Sequence, residues 1–397
     1  MREFMDGAEA IVRGALKAGC NFFAGYPITP ATPILLKMLR ELPKVGGIGI
    51  QGEDEIASIG MCIGAAMTGM KTLTATSGPG ISLYSENIGM AIMSEVPLVV
   101  VDVMRLGPAT GGATTVSQGD VQFLRWVTSG GFPIITLCPS SLADCYTLTQ
   151  RAFNLAEKFR APVFIATDKE MVIAQQSVET STFEELEIVE RAYAPSERAF
   201  IPYHAKKLAD VPAFAPVGGA QITRLTTSMH DEHGMLTKKP SNVNRTSRHL
   251  YQKIEAHRDE LEFVKLDAQE GARTLVVAYG ISARSAIEAV RLARAAGKRV
   301  SMLTIQSLWP LPEQSLRAAL RGNVAAPAEP GEESHSFVSR VGPPSITRVI
   351  VPELNFGQYR LEIERVGLLF DSRLEVIGVN RVDGELIEPE EISQLVI

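Results

Sequence analysis

The stretch NFFAGYPITPATP, residues 21–33, runs a short apolar segment into a proline-bracketed turn and then into helical periodicity. Asn21 to Gly25 reads as a strand and Ala31 to Glu41 as a helix. Between them Pro27 and Pro30 both fix φ, and Pro30 suits the first position of the helix that follows. Such a turn would aim the Thr29 hydroxyl and its backbone neighbours outward with little entropy left to lose. The plainer alternative is an ordinary helix entry.

The same alternation continues outward from this stretch. Met5 to Ala18 reads as a helix before it. After it come strand 48–51, helix 55–70, strand 72–76, helix 81–93, strands 97–104 and 132–136, helix 141–159 and strand 162–167. Short connections and continuous apolar runs such as PLVVV and PVFIA fit strands buried on both faces, and so predict a doubly wound α/β fold with a parallel sheet. From about 176 to 269 the periodicity fades and prolines interrupt it, apart from one strongly charged helix near 244–266 that would be mostly solvated. This segment reads as an interdomain arm reaching across a neighbouring surface. A second α/β unit begins at Thr274 with TLVVAYG. The expected units are therefore 1–175, 176–269 and 270–397, with an acidic, Pro/Gly-rich flexible insert at about 322–346.

Of the chain's 397 residues, 45% are apolar and 21% charged, and the formal charge is -6. Scattered basic residues on an acidic total argue against nucleic acid. No apolar segment is long enough to span a membrane, and MREFMDGAEA lacks the apolar core of a signal peptide, so a cytoplasmic location is expected. Cys20, Cys62, Cys138 and Cys145 are widely spaced, which favours buried thiols over a metal or cluster site. In HDEHG, 230–234, a polar turn ending at Gly234 is favoured over a metal site.

Ligands of parallel α/β sheets bind beyond the carboxyl ends of the strands. The unusual residues fall there: YPITP, QGEDE (51–55), TSGPG (76–80) and MRLGPATGGATTVSQGD (104–120). Glu53, Asp54 and Glu55 stand at a helix start, where acids are favoured. Glu55 shares its helix face with Ile59 and Ile63, so its carboxylate would be partly desolvated and able to hold a proton or bind a ring N–H. SGPG lacks the lysine and spacing of a phosphate loop, and its glycines would serve equally for close helix approach. Arg105, ending an apolar strand, is placed to fork onto a carboxylate, with an ion pair to Asp102 or Asp120 as the alternative.

YPITP, GEDEIASIG, TATSGPG and the Arg105 loop, in this order and with RVIVPELNFGQ later, resemble the alpha subunit of the 2-oxoacid:ferredoxin oxidoreductases. The resemblance is close over residues 1 to about 170 and continues into the second unit. It implies a pyrimidine-binding domain for thiamine diphosphate followed by a transketolase C-terminal-like α/β domain. It also implies a beta subunit carrying the diphosphate site, Mg2+ and a [4Fe-4S] cluster, and a gamma-type domain that is separate or absent. By the same resemblance, Glu55 would bond the pyrimidine N1' and favour the imino tautomer, Thr29 would lie beside the reacting carbonyl, and Arg105 would hold the substrate carboxylate. Tyr26, Pro27, Ile28, Thr29, Glu55, Ser77 and Gly78 would contact the cofactor. The implied reaction is coenzyme A-dependent oxidative decarboxylation of a 2-oxoacid with electrons passed to ferredoxin. The GPATGGATTVSQGD loop is more similar to 2-oxoglutarate enzymes than to pyruvate ones. Branched-chain 2-oxoacid or pyruvate enzymes, a non-oxidative decarboxylase and a non-catalytic paralogue are the competing readings.

Overall fold

The structure is a computed structural model, and it describes residues 2–195, 200–322 and 346–397. The acidic segment read as a flexible insert lies outside the described residues, apart from its ends. In chain order the elements are β1 (Arg2–Met5), α1 (Gly7–Lys17), β2 (Phe22–Gly25), α2 (Thr32–Glu41), β3 (Ile48–Gln51), α3 (Glu55–Met67), β4 (Thr72–Thr76), α4 (Pro79–Met93), β5 (Leu98–Met104), α5 (Val121–Arg125), β6 (Ile135–Leu137), α6 (Leu142–Phe159), β7 (Pro162–Asp168), α7 (Lys169–Ile173) and β8 (Gln176–Glu179). They continue with α8 (Pro240–Glu255), β9 (Val264–Asp267), β10 (Thr274–Tyr279), α9 (Ser282–Ala295), β11 (Val300–Ile305), β12 (Ser307–Trp309), α10 (Glu313–Leu320), β13 (Arg348–Glu353), α11 (Arg360–Phe370), β14 (Glu375–Asn380) and α12 (Pro389–Ser393).

A 7-stranded sheet runs β12-β6-β7-β5-β4-β2-β3 and a 5-stranded sheet runs β14-β13-β10-β11-β9. Within these two sheets all pairings are parallel except those of β12 with β6 and β9 with β11, and β1 and β8 form a separate antiparallel pair. Every residue of β5 and β7 is buried, and alternation along each strand divides its side chains between two cores. Val99, Val101 and Val103 pack with α1 and α6, whereas Val100 and Met104 pack with α3 and α4. Among the described residues, no helix is long and apolar enough to cross a membrane.

The arm departs from expectation. The helix expected over 244–266 stops at Glu255, and 264–267 form β9 instead, because Val264 and Leu266 turn inward to pack with the second sheet while Lys265 faces out. Nor is α8 mostly solvated: His249, Leu250, Lys253 and Ile254 are buried, and Lys253 donates to Glu95 Oε2 at 2.8 Å and Arg160 O at 3.1 Å. Met5, read as the start of the first helix, instead ends β1, which pairs antiparallel with β8, and α1 begins at Gly7.

Residues 184–191 run along α6 as a strap read by side chains at helical spacing. Gln150 donates to Glu184 O and accepts from Leu186 N, and Asn154 donates to Glu187 O and accepts from Val189 N. These amides do for the strap what a neighbouring strand would do. Near the next turn, Glu157 receives Arg191 in a two-pronged pair at 2.6 and 2.7 Å, and Arg191 also donates to Ala66 O and Met70 O. Both side chains are at most 2% exposed.

Breaking a buried pair by removing one partner leaves an uncompensated charge and costs about 3–5 kcal/mol. Glu157→Gln is therefore expected to lower stability by that amount in urea unfolding. Faster proteolytic cleavage within 176–195 is expected to accompany the loss.

Candidate active site

The carboxyl ends of β3, β2, β4 and β5 stand side by side, and Gly52 N–H donates to Gly25 O at 2.9 Å across the first two. The segment after β2 is a turn, as read, but Pro30 does not open the helix that follows. The Thr29–Pro30 peptide is cis, α2 begins only at Thr32, and Pro33 rather than Pro30 occupies its first turn. Tyr26, Pro27 and Thr29 are exposed at the rim, Ile28 is half-buried and Pro30 is buried.

The three acids at the start of α3 are sorted by geometry. Asp54 caps the helix, its Oδ1 accepting from Ala57 N–H at 2.7 Å, and Glu53 points to solvent. Glu55 turns inward and is 7% exposed, on the face that buries Ile59 and Ile63. Among the described residues nothing bonds its carboxylate. Space for it comes from Gly80, where a Cβ would lie 3.2 Å from Glu55 Cγ and 1.9 Å from Thr76 Oγ1. Gly78 differs: a Cβ there would be 3.4 Å from Arg105 Nε, an ordinary contact, and it is the φ of 45° that favours glycine.

Arg105 is buried and holds two loops together. Nη1 donates to Thr29 O at 2.6 Å and Nη2 to Thr110 O at 3.1 Å, leaving Nε–H and one hydrogen on each Nη unused. Neither Asp102 nor Asp120 forms an ion pair with it among the described residues. Asp102, wholly buried at the end of β5, is pushed well up by burial and then by Asp120, against the Gly78 amide and Arg105. Asp120 is likewise raised by burial, with Arg105 opposing.

Thr76 Oγ1, Ser77 Oγ, both oxygens of Asp102, Arg105 Nε and Asp120 Oδ2 are all buried without a hydrogen-bond partner. Isolated orphans are rare in folded chains, so this concentration at adjacent strand ends marks a place for a polar ligand. The donors and acceptors, with the inward carboxylate of Glu55 beside them, fit a flat heterocycle with ring nitrogens and an amino group. They thus fit the pyrimidine half of thiamine diphosphate. Arg105 lies against Gly78 and bonds Thr29 O, Glu55 lies against Gly80 two residues on, and Tyr26, Pro27 and Thr29 are exposed.

Sequence reasoning passed over Asp168, and weighed Asp102 only as a partner of Arg105. Each had a signal: a lone acid in a strand otherwise free of charge, PLVVVDVM or PVFIATD. Asp168 Oδ2 accepts from Ile281 N–H at 2.7 Å, and burial pushes its carboxyl up to about 7. HDEHG forms a turn in which Asp231 Oδ1 accepts from His233 and Met235 N–H, while His230 lies buried against Tyr203. It borders a separate cavity of about 280 Å³ under α8. Among the described residues, no group of three or more His, Cys, Asp or Glu is arranged to hold a metal ion.

Residues 13–248 match the family described as pyruvate flavodoxin/ferredoxin oxidoreductase, thiamine-diphosphate-binding, and 272–328 match pyruvate:ferredoxin oxidoreductase core domain II. Over its whole length the chain is 39% identical to 2-oxoglutarate synthase subunit KorA of Methanocaldococcus jannaschii, covering 99% of it. It is 33% identical to ketoisovalerate oxidoreductase subunit VorB of Methanothermobacter thermautotrophicus, over 99% of this chain and 96% of that one. Among solved structures, 2-oxoglutarate:ferredoxin oxidoreductase from Magnetococcus marinus, with 2-oxoglutarate, coenzyme A and succinyl-CoA bound, superposes at a TM-score of 0.85 with 30% identity. That match covers 99% of this chain and 64% of the other. A split-gene transketolase at TM-score 0.51 and 11% identity shares the fold alone. From matches that run nearly end to end, the chain belongs to the pyruvate flavodoxin/ferredoxin oxidoreductase family.

Proposed function

We propose that this chain is the alpha subunit of a thiamine-diphosphate-dependent 2-oxoacid:ferredoxin oxidoreductase, acting in the cytoplasm. It converts 2-oxoglutarate and coenzyme A to succinyl-CoA and carbon dioxide, passing two electrons to ferredoxin. The observation that carries this reading is the meeting, beyond adjacent strand ends, of an inward carboxylate at Glu55 and an arginine with unused N–H bonds at Arg105. Full-length similarity to 2-oxoglutarate synthase subunits favours 2-oxoglutarate, and the more distant VorB likeness keeps branched-chain acids as the alternative.

Thiamine diphosphate, when bound, supplies the electron sink that decarboxylation requires. Glu55 would hold a pyrimidine ring nitrogen by a hydrogen bond and so favour proton movement at that ring. Ser77 and Gly78 would contact the ring, with Tyr26, Pro27 and Ile28 as a stiff wall. Arg105 binds the substrate carboxylate through its unused N–H bonds. Its bond to Thr29 O fixes the turn, so that the Thr29 side chain stands beside the reacting carbonyl.

The diphosphate site, its Mg2+ and a [4Fe-4S] cluster are assigned to a beta subunit, and any gamma subunit to a separate chain. The outward face of α3 supports the first of these. Ile56 is 51% exposed and neighbouring Leu83 45%, Gly60 and Gly64 face open space, and the helix is uncharged after Glu55. Since Glu55 begins this helix, a chain completing the cofactor site would continue onto the same face.

Co-expression with such a beta subunit, followed by anaerobic viologen reduction with 2-oxoglutarate, 2-oxoisovalerate or pyruvate, tests the whole reading. Reduction is expected with 2-oxoglutarate and coenzyme A, and only with both chains present. A preference for 2-oxoisovalerate would move the substrate to the branched-chain class, and no reduction by a fully loaded complex would overturn the proposal. Glu55→Gln is expected to lower turnover by about 10²–10⁴-fold with the complex intact. Gly60→Lys, at an exposed helical position, is expected to leave the chain folded but to abolish co-purification of the partner, read by size-exclusion chromatography.

A further inference from the structure

We propose that Gln118 is a positioning residue for substrate binding: it fastens the loop that carries the acceptors of Arg105 to the second α/β unit, and so sets where the guanidinium points. The inference rests on the reading of Arg105 as the carboxylate-binding group.

Residues 106–115 close on themselves. Leu106 N–H donates to Thr115 O at 3.0 Å, Gly112 N–H to Leu106 O at 2.8 Å and Thr115 N–H to Gly112 O at 3.0 Å. This closed loop carries Thr110 O, which accepts from Arg105, so the placing of the loop fixes one side of the guanidinium. One end of the loop is tied to β5. The other end is tied to the second unit.

That second tie is centred on Gln118, which is wholly buried. Its main-chain N–H donates to Leu354 O at 2.9 Å, and its carbonyl accepts from Asn355 Nδ2 at 2.8 Å. Its side-chain Oε1 accepts from Ser282 Oγ at 2.9 Å and Leu354 N–H at 3.1 Å, and Nε2 donates to Tyr279 O at 3.3 Å. A primary amide both accepts and donates, and here it does both toward the second unit. Ser117 Oγ adds a bond to Leu354 O, and Gln358 Nε2 one to Gly119 O. Two residues on stands Asp120, whose carboxyl is raised by burial and drawn back down by Arg105. The segment that approaches Arg105 is thus registered chiefly on the second unit, and Asp168 at the end of β7 is the group of the first sheet that the Gln118 side chain also reaches.

Small misplacements of a binding group cost much in substrate affinity, so Gln118→Met, which keeps the shape and removes the polar atoms, is expected to raise KM for the 2-oxoacid by about tenfold or more. In the assembled enzyme kcat should stay within about twofold, as for a loss of binding felt equally in ground and transition states. Hydrogen exchange should quicken at the amides of Leu106, Gly112 and Thr115 and stay unchanged within β5. Ser282→Ala, which removes one donor from the far side, should shift KM the same way by less, and it serves where Gln118→Met does not assemble. Arg105→Lys separates the two ideas. If Arg105→Lys raises KM while the Gln118 and Ser282 variants leave both KM and loop exchange unchanged, the positioning role is overturned and the carboxylate reading stands. If Arg105→Lys leaves KM unchanged, the carboxylate reading falls, and the inference about Gln118 falls with it.

Discussion

A parallel sheet covered on both faces has nowhere to put a charged side chain except near its ends, and that constraint organises the molecule. Along β5 and β7 every residue is buried, so valines and isoleucines fill the interior while Asp102, Arg105, Thr167 and Asp168 collect at the carboxyl edge. The edge is then shaped by what is left out. Without a side chain at Gly80, the starts of α3 and α4 come close enough for Glu55 to lie beside Thr76, one of the cluster of unpartnered polar groups. Chemistry at this site follows from packing the sheet well, because close packing both strips water from the acids and leaves them without substitutes for it.

Much of this was legible in the sequence because the signals were local. Apolar runs of strand length, glycines after strands and an acid heading a helix with isoleucines four and eight residues on are properties of neighbouring residues. The placement of Glu55 and Arg105 followed from those rules together with the preference of ligands for strand ends. Pro30 did not. Whether a proline opens a helix or sits in a turn before it depends on the geometry of one peptide bond, and the composition of YPITP is compatible with both.

The arm was opaque for the opposite reason. Its strap is ordered by amides of α6 more than thirty residues earlier in the chain, and Arg191 by a carboxylate at a similar remove. No period in 184–191 announces this, because the order is supplied by the surface it lies on. Likewise, Val264 to Asp267 is too short to be told from the end of a helix until β11 is there to pair with it. Gln118 gave no signal by itself either. SQGD and ELNFGQ were noticed as separate motifs, and only the fold reveals that each is the other's hydrogen-bonding partner.

The short strand β12 gives the two sheets a topological relation that their separate cores conceal. It follows β11 of the second sheet, crosses to cover the free edge of β6 in the first, and the chain then returns to build β13 and β14. The strands of the sheets are consequently interleaved along the backbone. No single scission of the polypeptide leaves both sheets with all their strands, so gene fission or recombination could not divide this chain into self-sufficient halves without exposing an unpaired β6 edge or severing the second sheet.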